Sequence, residues 1–260
     1  MSATRYPAVA GQFYSADPGE LRGEILQYLS EAKPVPIIPK AIIAPHAGYI
    51  YSGPVAASAY AAIAPAHATI THVVLLGPAH RVYLRGLALS SAENFATPLG
   101  VVPVDREAIA RIRDLPQVMT MDAAHALEHS LEVHLPFLQM VLDRFSVAPL
   151  VVGKATPEEV DEVLEILWGG EETLIVVSSD LSHYHNYATA QDLDRATTQT
   201  IEALCTDIDP AHACGSMPLN GLLRLAKRRS LTVRTLDLRN SGDTAGPRDQ
   251  VVGYGAYALH

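Results

Sequence analysis

The sequence predicts an α/β fold in which helices cover both faces of a sheet. Short apolar segments alternate with longer amphipathic segments along the chain, and Pro or Gly turns separate the two kinds. This alternation is typical of strands joined by crossover helices, which pack on both sides of the sheet. The 260 residues are 48% hydrophobic, enough for a substantial core, and no repeat, low-complexity run or linker divides them. We therefore expect a single domain over residues 1–260.

In the first half of the chain, the clearest helix start is Asp17-Pro18-Gly19-Glu20. Asp17 is placed to cap the helix, Pro18 takes the first helical position, and Glu20 follows three residues after the cap. Apolar periodicity assigns the remaining segments. The predicted helices are Pro54–Ala64 and Arg106–Asp114, and the predicted strands are Ala41–Ala44, Val73–Leu76, Gly86–Ser91 and Val101–Val104, the last of which pairs back after a turn at Thr97–Gly100.

The second half continues the alternation. Thr156 is followed by Pro157 and, three residues after the cap, by Glu159, which predicts a capping box and a helix running to Trp168. Two further helices are expected after this one, and four strands complete the pattern. These helices are Ala188–Leu204 and Leu219–Lys227, and the strands are Ser146–Val152, Leu174–Val177, Leu231–Leu238 and Val251–Leu259.

Composition excludes several classes of partner. The net charge is −9, and the one basic cluster, Lys227-Arg228-Arg229, is typical of a helix C-terminus, so we expect no nucleic-acid partner. The N-terminus lacks a signal peptide, and no stretch is apolar for the roughly 18 residues that a membrane-spanning helix needs. With only two cysteines, Cys205 and Cys214, a reduced cytoplasmic protein is the simplest interpretation.

Histidines and acids follow three of the predicted strands at the point where each strand ends. The run Ala41–Ala44 leads into Pro45-His46, Val73–Leu76 leads to His80, and Leu174–Val177 leads into the segment SSDLSH. In open α/β sheets, ligands bind beyond the carboxyl ends of the strands. We therefore expect these side chains to share one rim, suited to metal or proton chemistry.

The candidate metal ligands are His46, His80 and Cys214. Imidazole nitrogen and thiolate sulfur are good ligands for Fe, Cu or Zn. Two histidines with one anionic ligand form the facial arrangement of non-haem iron, in which the third ligand is usually a carboxylate. The alternative for Cys214 is an inert, buried thiol, and spacing alone leaves the two interpretations open.

Asp180 and His183 are candidate acid–base groups. They lie three residues apart in SSDLSH, so a tight turn or a first helical turn would let both face one cavity. The carboxylate could then orient the imidazole, which would act as the base. The alternative is that Ser179 or Asp180 caps a helix, which is common after strands.

The segment from Glu128 to Pro136 contains two acids and two histidines. His129 and His134 are five residues apart, so the segment is not the HExxH zinc signature. On a helix this spacing points the two rings in different directions, and we expect only His129 to reach the pocket. Glu128 and Glu132 are then expected as its buried partners. The alternative is a polar helix that anchors a loop.

Six segments of the sequence resemble a known family. In chain order they are PAVAGQFY, APHAGYIYSG, LLGPAH, EHSLEVHLPF, VVSSDLSH and CGSMP. Each is weak alone, but the ordered set is specific and covers almost the whole chain. It resembles the Memo family, the AmmeMemoRadiSam system protein B group, which is similar to the catalytic subunits of class III extradiol ring-cleaving dioxygenases.

The resemblance implies a three-layer α/β/α sandwich with a central mixed, mostly parallel sheet and a metal pocket at the strand ends. By matching segments, His46 and His80 are the histidine ligands, and Cys214 stands where the dioxygenases have a carboxylate. His183 matches the acid–base histidine, with Asp180 beside it. The family resemblance implies Fe(II) or Cu rather than Zn. At Ser216-Met217 the sequence departs from the Arg-His that eukaryotic members usually carry.

Three functions follow from this pocket. The first is a metal-binding protein with a dioxygenase-type pocket and a redox-linked role, although a thiolate ligand argues against ordinary catechol cleavage. The second is a binding or adaptor module that takes a small molecule or a peptide and keeps a remnant metal site. The third is a hydrolase with Cys214 as nucleophile and His46 or His183 as base. The group name implies association with a radical-SAM protein and an AMMECR1-type protein.

Overall fold

The computed structural model describes residues 3–33 and 35–260. Its helices are α1 (Pro18–Glu31), α2 (Tyr49–Ile63), α3 (Arg106–Ile112), α4 (Asp122–Ala126), α5 (His134–Val141), α6 (Pro157–Ile166), α7 (Tyr187–Glu202) and α8 (Ser216–Arg228). Its strands are β1 (Thr4–Arg5), β2 (Ala41–Ala44), β3 (His72–Pro78), β4 (Leu87–Leu89), β5 (Asn94–Thr97), β6 (Gly100–Pro103), β7 (Val118–Thr120), β8 (Ser146–Val152), β9 (Thr173–Ser178), β10 (His183–His185), β11 (Val233–Asn240) and β12 (Val251–Leu259).

A large mixed sheet forms the centre of the molecule. Its strands follow the order β10-β12-β2-β9-β3-β8-β4-β7, and β11 also pairs with β12. The four central strands β2, β9, β3 and β8 are parallel, whereas β12 and β4 join them antiparallel on either side. A separate small sheet, β1-β5-β6, includes the predicted turn-back of β6 onto β5. The mixed, mostly parallel character of the central sheet is confirmed.

Helices lie on both faces of this sheet and make it a three-layer α/β/α sandwich. Helix α2 packs on β2, β11 and β12, with α1 and α5 against it. Helix α8 packs on β3 and β9, with α6 against it, and α7 covers β10, β11 and β12. All residues of β2 and β9 are buried, as expected for parallel strands covered on both faces. None of the helices in the described ranges has the length and apolar character that a bilayer crossing requires.

Both predicted helix caps are confirmed. Asp17 Oδ1 accepts hydrogen bonds from the backbone N–H groups of Gly19 (2.8 Å) and Glu20 (2.9 Å). Thr156 Oγ1 accepts from Glu159 N (3.2 Å), and Glu159 Oε2 accepts from Thr156 N (2.8 Å), which closes the capping box. Local side-chain chemistry therefore determines where α1 and α6 begin.

Helix α2 begins five residues earlier than predicted. Pro54 was expected at the first helical position, but the helix starts at Tyr49 and continues through the proline. Two contacts from other parts of the chain hold this early start: Tyr49 N donates to Phe13 O (2.7 Å), and Tyr49 Oη donates to Val133 O (2.6 Å). Tertiary contacts thus outweigh the usual preference of proline for a helix start.

The segment around His129 is not the helix on which its spacing from His134 was considered. Residues 130–133 form a turn, and helix α5 begins only at His134. The carboxylate of Glu128 lies at the start of this segment, where its Oε1 accepts from the backbone N–H groups of His129 and Ser130, both at 3.0 Å. These local hydrogen bonds fix the backbone where the turn begins.

Candidate metal centre

The three strand ends singled out in the sequence meet at one edge of the sheet. Strands β2, β9 and β3 are neighbours and parallel, with Ala44 opposite Ser178 and Leu76 opposite Val177. Their carboxyl ends therefore lie side by side. His46 follows β2, His80 follows β3, and Asp180 follows β9, each two residues beyond its strand.

Three imidazole rings cluster at this edge. The rings of His80 and His129 are stacked, with centroids 4.7 Å apart, and the ring of His46 lies edge-on to both, at 5.1 Å from His80 and 5.5 Å from His129. One ligand atom from each lies within 4.8 Å of the others, close enough to hold a metal ion together. His134 lies elsewhere: its ring is buried, and its Nδ1 is 2.7 Å from Tyr60 Oη.

The hydrogen bonds of His46 determine its tautomer. Its Nδ1 is 2.6 Å from Ser178 Oγ, and that hydroxyl donates its own proton to the carbonyl of Ser130 (2.6 Å). Since the hydroxyl proton is committed, Nδ1 of His46 must carry a proton and donate it. Nε2 is then left with a free lone pair, as a metal ligand requires.

A carboxylate orients His80 in the same way. Glu128 Oε1 lies 2.9 Å from His80 Nδ1, and Oε2 accepts from His80 N (2.6 Å). Burial opposes ionisation of Glu128, but its hydrogen bonds and the proximity of His80 outweigh this and lower its pKa to about 2. Because the ionised carboxylate can only accept, His80 donates from Nδ1 and presents a bare Nε2.

Burial keeps the other rings of the cluster neutral. It holds the pKa of His46 well below the usual histidine range and lowers the pKa of His129 to about 4, although the charge of Glu128 opposes the second shift. His129 Nδ1 lies 3.3 Å from Glu128 Oε1, and the ring of Phe13 covers it at 4.8 Å. Neutral imidazole is the form that binds metals, so these two rings are in the form that an ion requires at neutral pH.

Cys214 lies beside this cluster. Its Sγ is 3.3 Å from His46 Nε2 and accepts a hydrogen bond from Asp180 N at 3.3 Å. Burial, followed by the charge of Asp180, raises the pKa of the thiol to about 12. The protonated thiol therefore donates to the bare Nε2 of His46, and an ion bound there would displace this proton.

Two glycines allow the loops to approach so closely. A Cβ on Gly215 would lie 2.4 Å from the carbonyl oxygen of Ser178, so only glycine lets the Cys214 loop pass the end of β9. A Cβ on Gly77 would lie 2.7 Å from Ser130 Oγ, so β3 needs glycine where the 128–133 turn crosses it.

The predicted acid–base residues are also at this edge. Asp180 is buried, its Oδ1 accepts from His46 N (2.8 Å), and burial raises its pKa to about 6. His183 begins β10 and donates from Nδ1 to the carbonyl of Leu181 (2.8 Å), which leaves Nε2 free to accept a proton. Neither Ser179 nor Asp180 caps the next helix, because Asn186 does so by accepting from Thr189 N (3.0 Å).

Glu132 has a different role from the one expected. Its carboxylate forms a buried salt bridge with Arg5 and accepts from Ala8 N (2.7 Å), Val9 N (3.0 Å) and Tyr14 Oη (2.6 Å). It thereby fixes the N-terminal segment, which carries Phe13, rather than a histidine. Sequence reasoning also missed Ser178, whose only sequence feature is its place at the end of a strand.

Fold and site together define an α/β/α protein with a histidine-rich pocket at the carboxyl edge of its parallel strands. Comparison with known sequences gives a more specific result. The family model described as "Memo-like protein" matches residues 5–258. The chain is 34% identical over 276 residues to a MEMO1 family protein of Sulfolobus acidocaldarius and 38% identical over 267 residues to one of Aquifex aeolicus, each alignment covering 96% of this chain and 97% of the relative. The chain belongs to the Memo family.

A solved structure supports the fold. The chain is similar to an uncharacterized protein, JW3007, of Escherichia coli K12, with a TM-score of 0.54 at 12% sequence identity. The match covers 85% of this chain and 100% of that protein. At this identity the likeness concerns the architecture of the fold.

Proposed function

We propose that this Memo-family protein binds Fe(II) or Cu at the carboxyl edge of the sheet and has a redox-linked role. The observation that supports this most directly is the orientation of the ligand atoms. His46 and His80 each donate from Nδ1 to a buried oxygen and present a bare Nε2, and Cys214 Sγ lies 3.3 Å from that of His46. Oriented rings backed by hydrogen-bond acceptors are typical of metal sites.

The donor set favours a transition metal. Imidazole nitrogen and thiolate sulfur suit Cu, Fe or Zn, whereas Mg²⁺ and Ca²⁺ prefer oxygen ligands. We assign His46, His80 and Cys214 as ligands. The ligand atoms that lie within 4.8 Å of one another belong to His46, His80 and His129, so His129, stacked on His80, would close the pocket beside the ion. A bound Fe or Cu ion would supply one-electron redox chemistry, which none of these side chains provides alone.

The protein's own groups would manage protons around the ion. His183 has a free Nε2 and is our candidate for accepting or returning a substrate proton. Asp180 holds the backbone of His46 and contributes a carboxyl group whose raised pKa lets it exchange protons near neutral pH. His129 is the third candidate catalytic group, placed to contact a ligand of the pocket.

The Cys hydrolase alternative is weaker on physical grounds. A nucleophilic cysteine needs a lowered pKa, from a nearby cation or an activating base. The buried Cys214 thiol has the opposite shift, to about 12, and its neighbours include the carboxyl of Asp180. A metal ion would lower this pKa, so the thiol is better suited to ligation than to nucleophilic attack.

The test is the metal content of untagged protein prepared without chelator. We expect near-stoichiometric Fe or Cu, lost in His46→Ala, His80→Ala and Cys214→Ala. His72→Ala, at the opposite edge of the sheet, is the matched control and should keep its metal. Zn in the site would contradict the redox role, and no binding after anaerobic addition of Fe(II) or Cu(I) would reject the metal site.

Partner binding is a second candidate function, because large apolar side chains are exposed beside the pocket. Ile50 (59% exposed) and Tyr51 (39%) follow the His46 loop, and Tyr184 (72%) follows His183. We propose that they contact a radical-SAM or AMMECR1-type partner in the cytoplasm, where the cysteines stay reduced. Co-purification of such a partner with the parent but not with Ile50→Ser/Tyr184→Ser would support this, and unchanged co-purification would reject it.

A further inference from the structure

A groove of about 370 Å³ opens beside the metal centre. It lies between the loop that follows His80 and the N-terminus of α8, and Cys214 forms part of its wall. A ligand in this groove would therefore contact the pocket from the side of the thiol. The size is suited to a small molecule.

Most of the groove wall is apolar. Tyr83, Leu84 and Met217 line it together with small aliphatic residues of β3 and β8. The side chain of Tyr83 is 83% exposed, so it stands at the mouth, where a planar ligand could pack against its ring. This surface is suited to the hydrocarbon body of a ligand.

One buried polar group in the groove lacks the hydrogen-bond partner that such groups usually have. Ser216, the first residue of α8, is 1% exposed, and in the described part of the chain its hydroxyl has no hydrogen-bond partner. A buried hydroxyl without a partner costs free energy, which a bound acceptor would recover. It lies at the positive end of a 13-residue helix, where anions are favoured.

The charge of the groove also favours an anionic ligand. Lys154 is its one cationic lining residue among those described, and neither Asp nor Glu lines it, although the chain carries a net charge of −9. A local cation in an acidic protein selects for an anionic ligand.

We propose that this groove binds a small organic acid, with its carboxylate on Ser216 and Lys154 and its apolar body against Tyr83, Leu84 and Met217. A single ammonium group matches a carboxylate monoanion, whereas a phosphate ester usually requires several cations or a bidentate Arg. The organic acid would be the substrate class of the proposed metal centre, so its role in catalysis rests on that proposed function. Binding itself does not require the metal.

The test measures the affinity of phenylacetate for the metal-free protein by ligand-observed NMR, with phenylacetamide as the uncharged analogue. We expect phenylacetate to bind and the amide to bind about tenfold more weakly, since charge-assisted hydrogen bonds are lost. Lys154→Met should weaken phenylacetate about tenfold, and Ser216→Ala several-fold. Lys33→Met, an exposed lysine elsewhere, should leave the affinity unchanged.

Several outcomes would overturn the proposal. Equal affinity for the acid and the amide, or unchanged affinity in both Lys154→Met and Ser216→Ala, would reject the carboxylate site. Tighter binding of phenyl phosphate, or of a phosphorylated peptide, would show that the groove recognises a different class. The variant His46→Ala tests the two proposals separately, because it should lose the metal but still bind phenylacetate. If the metal assignment is wrong, the result for the groove is unaffected.

Discussion

The two edges of the central sheet each hold a histidine paired with a carboxylate, but among the described residues only the pair at the carboxyl edge belongs to a cluster that could hold a metal ion. At the carboxyl edge, His80 Nδ1 lies 2.9 Å from Glu128. At the amino edge, His72 Nδ1 lies 2.6 Å from Asp105 Oδ2. The two pairs are chemically alike, so the pairing alone does not determine function.

The difference lies in what surrounds each pair. Asp105 also caps α3 by accepting from Ala108 N (2.9 Å), and the side chain of His72 is 44% exposed. His80 instead stacks on His129 beneath the loops that follow three parallel strands. A carboxylate–histidine pair becomes a metal-site candidate when the topology adds further rings. Without further rings, as in the His72–Asp105 pair, it links a helix to a strand.

The largest effect is expected from a side chain at Gly215, where the Cys214 loop passes the end of β9. In Gly215→Ala, the new methyl group would overlap the carbonyl of Ser178, so the loop must shift. We expect a loss of about 3 kcal/mol in the free energy of unfolding, measured by denaturant titration, together with loss of bound metal. Gly23→Ala, whose Cβ meets nothing within 4 Å on α1, is the control and should stabilise by about 0.5–1 kcal/mol. An unperturbed Gly215→Ala protein would refute the close approach.

Matched substitutions at the two edges test the comparison directly. Glu128→Gln keeps the size of the side chain but removes the charge that orients His80, and we expect about a 10- to 100-fold loss of metal affinity. Asp105→Asn makes the same change at the amino edge and should leave the affinity unchanged. Both are measured by competition with a chelator. Equal losses in the two variants would show that the edges are not functionally distinct.

A smaller loss is expected when the serine behind His46 is removed. Ser178→Ala leaves Nδ1 without its acceptor, so the ring can rotate or change tautomer, and metal affinity should fall about tenfold. Ser146→Ala removes a hydroxyl near the His72–Asp105 pair and is the control. If both serines can be removed without effect, then Ser178 does not determine the tautomer of His46.

The smallest effect concerns stability and pH at the amino edge. Burial of Asp105 would raise its pKa, but the Ala108 N–H and His72 outweigh it and lower the pKa. The pair therefore stabilises the fold above the ordinary aspartate pKa of about 4, and this contribution disappears as the pH falls through the lower folded-state value. At pH 7 we expect Asp105→Asn to cost about 1 kcal/mol in unfolding free energy, with the difference from the parent shrinking towards acid. A pH-independent difference would contradict the assignment.

The positions of His46 and His80 were predictable because the physics is local. An apolar strand that stops at Pro or Gly must release its next residues at the edge of the sheet, and parallel neighbours place those edges together. The position of Cys214 could not be predicted from local physics. Its loop reaches the pocket only because Gly215 passes close to Ser178, and spacing along the chain does not encode that contact.

The surroundings of His129 show where sequence reasoning was incomplete. The spacing of His129 and His134 was evaluated on a helix, but residues 130–133 form a turn and helix α5 begins only at His134. Glutamate has a high helix propensity, so propensity did not predict the turn that follows Glu128. The partner of Glu128, His80, comes from a distant part of the chain.

The Glu132 contacts have a consequence for synthesis of the chain. The carboxylate that holds Arg5 lies 127 residues further along the sequence. At roughly 5–20 residues per second on the ribosome, about 6–25 s pass before the N-terminal segment can meet its partner. Phe13, which covers His129, reaches its place only after that meeting. One wall of the pocket therefore cannot form until the middle of the chain has been made, which is also when His129 joins His46 and His80.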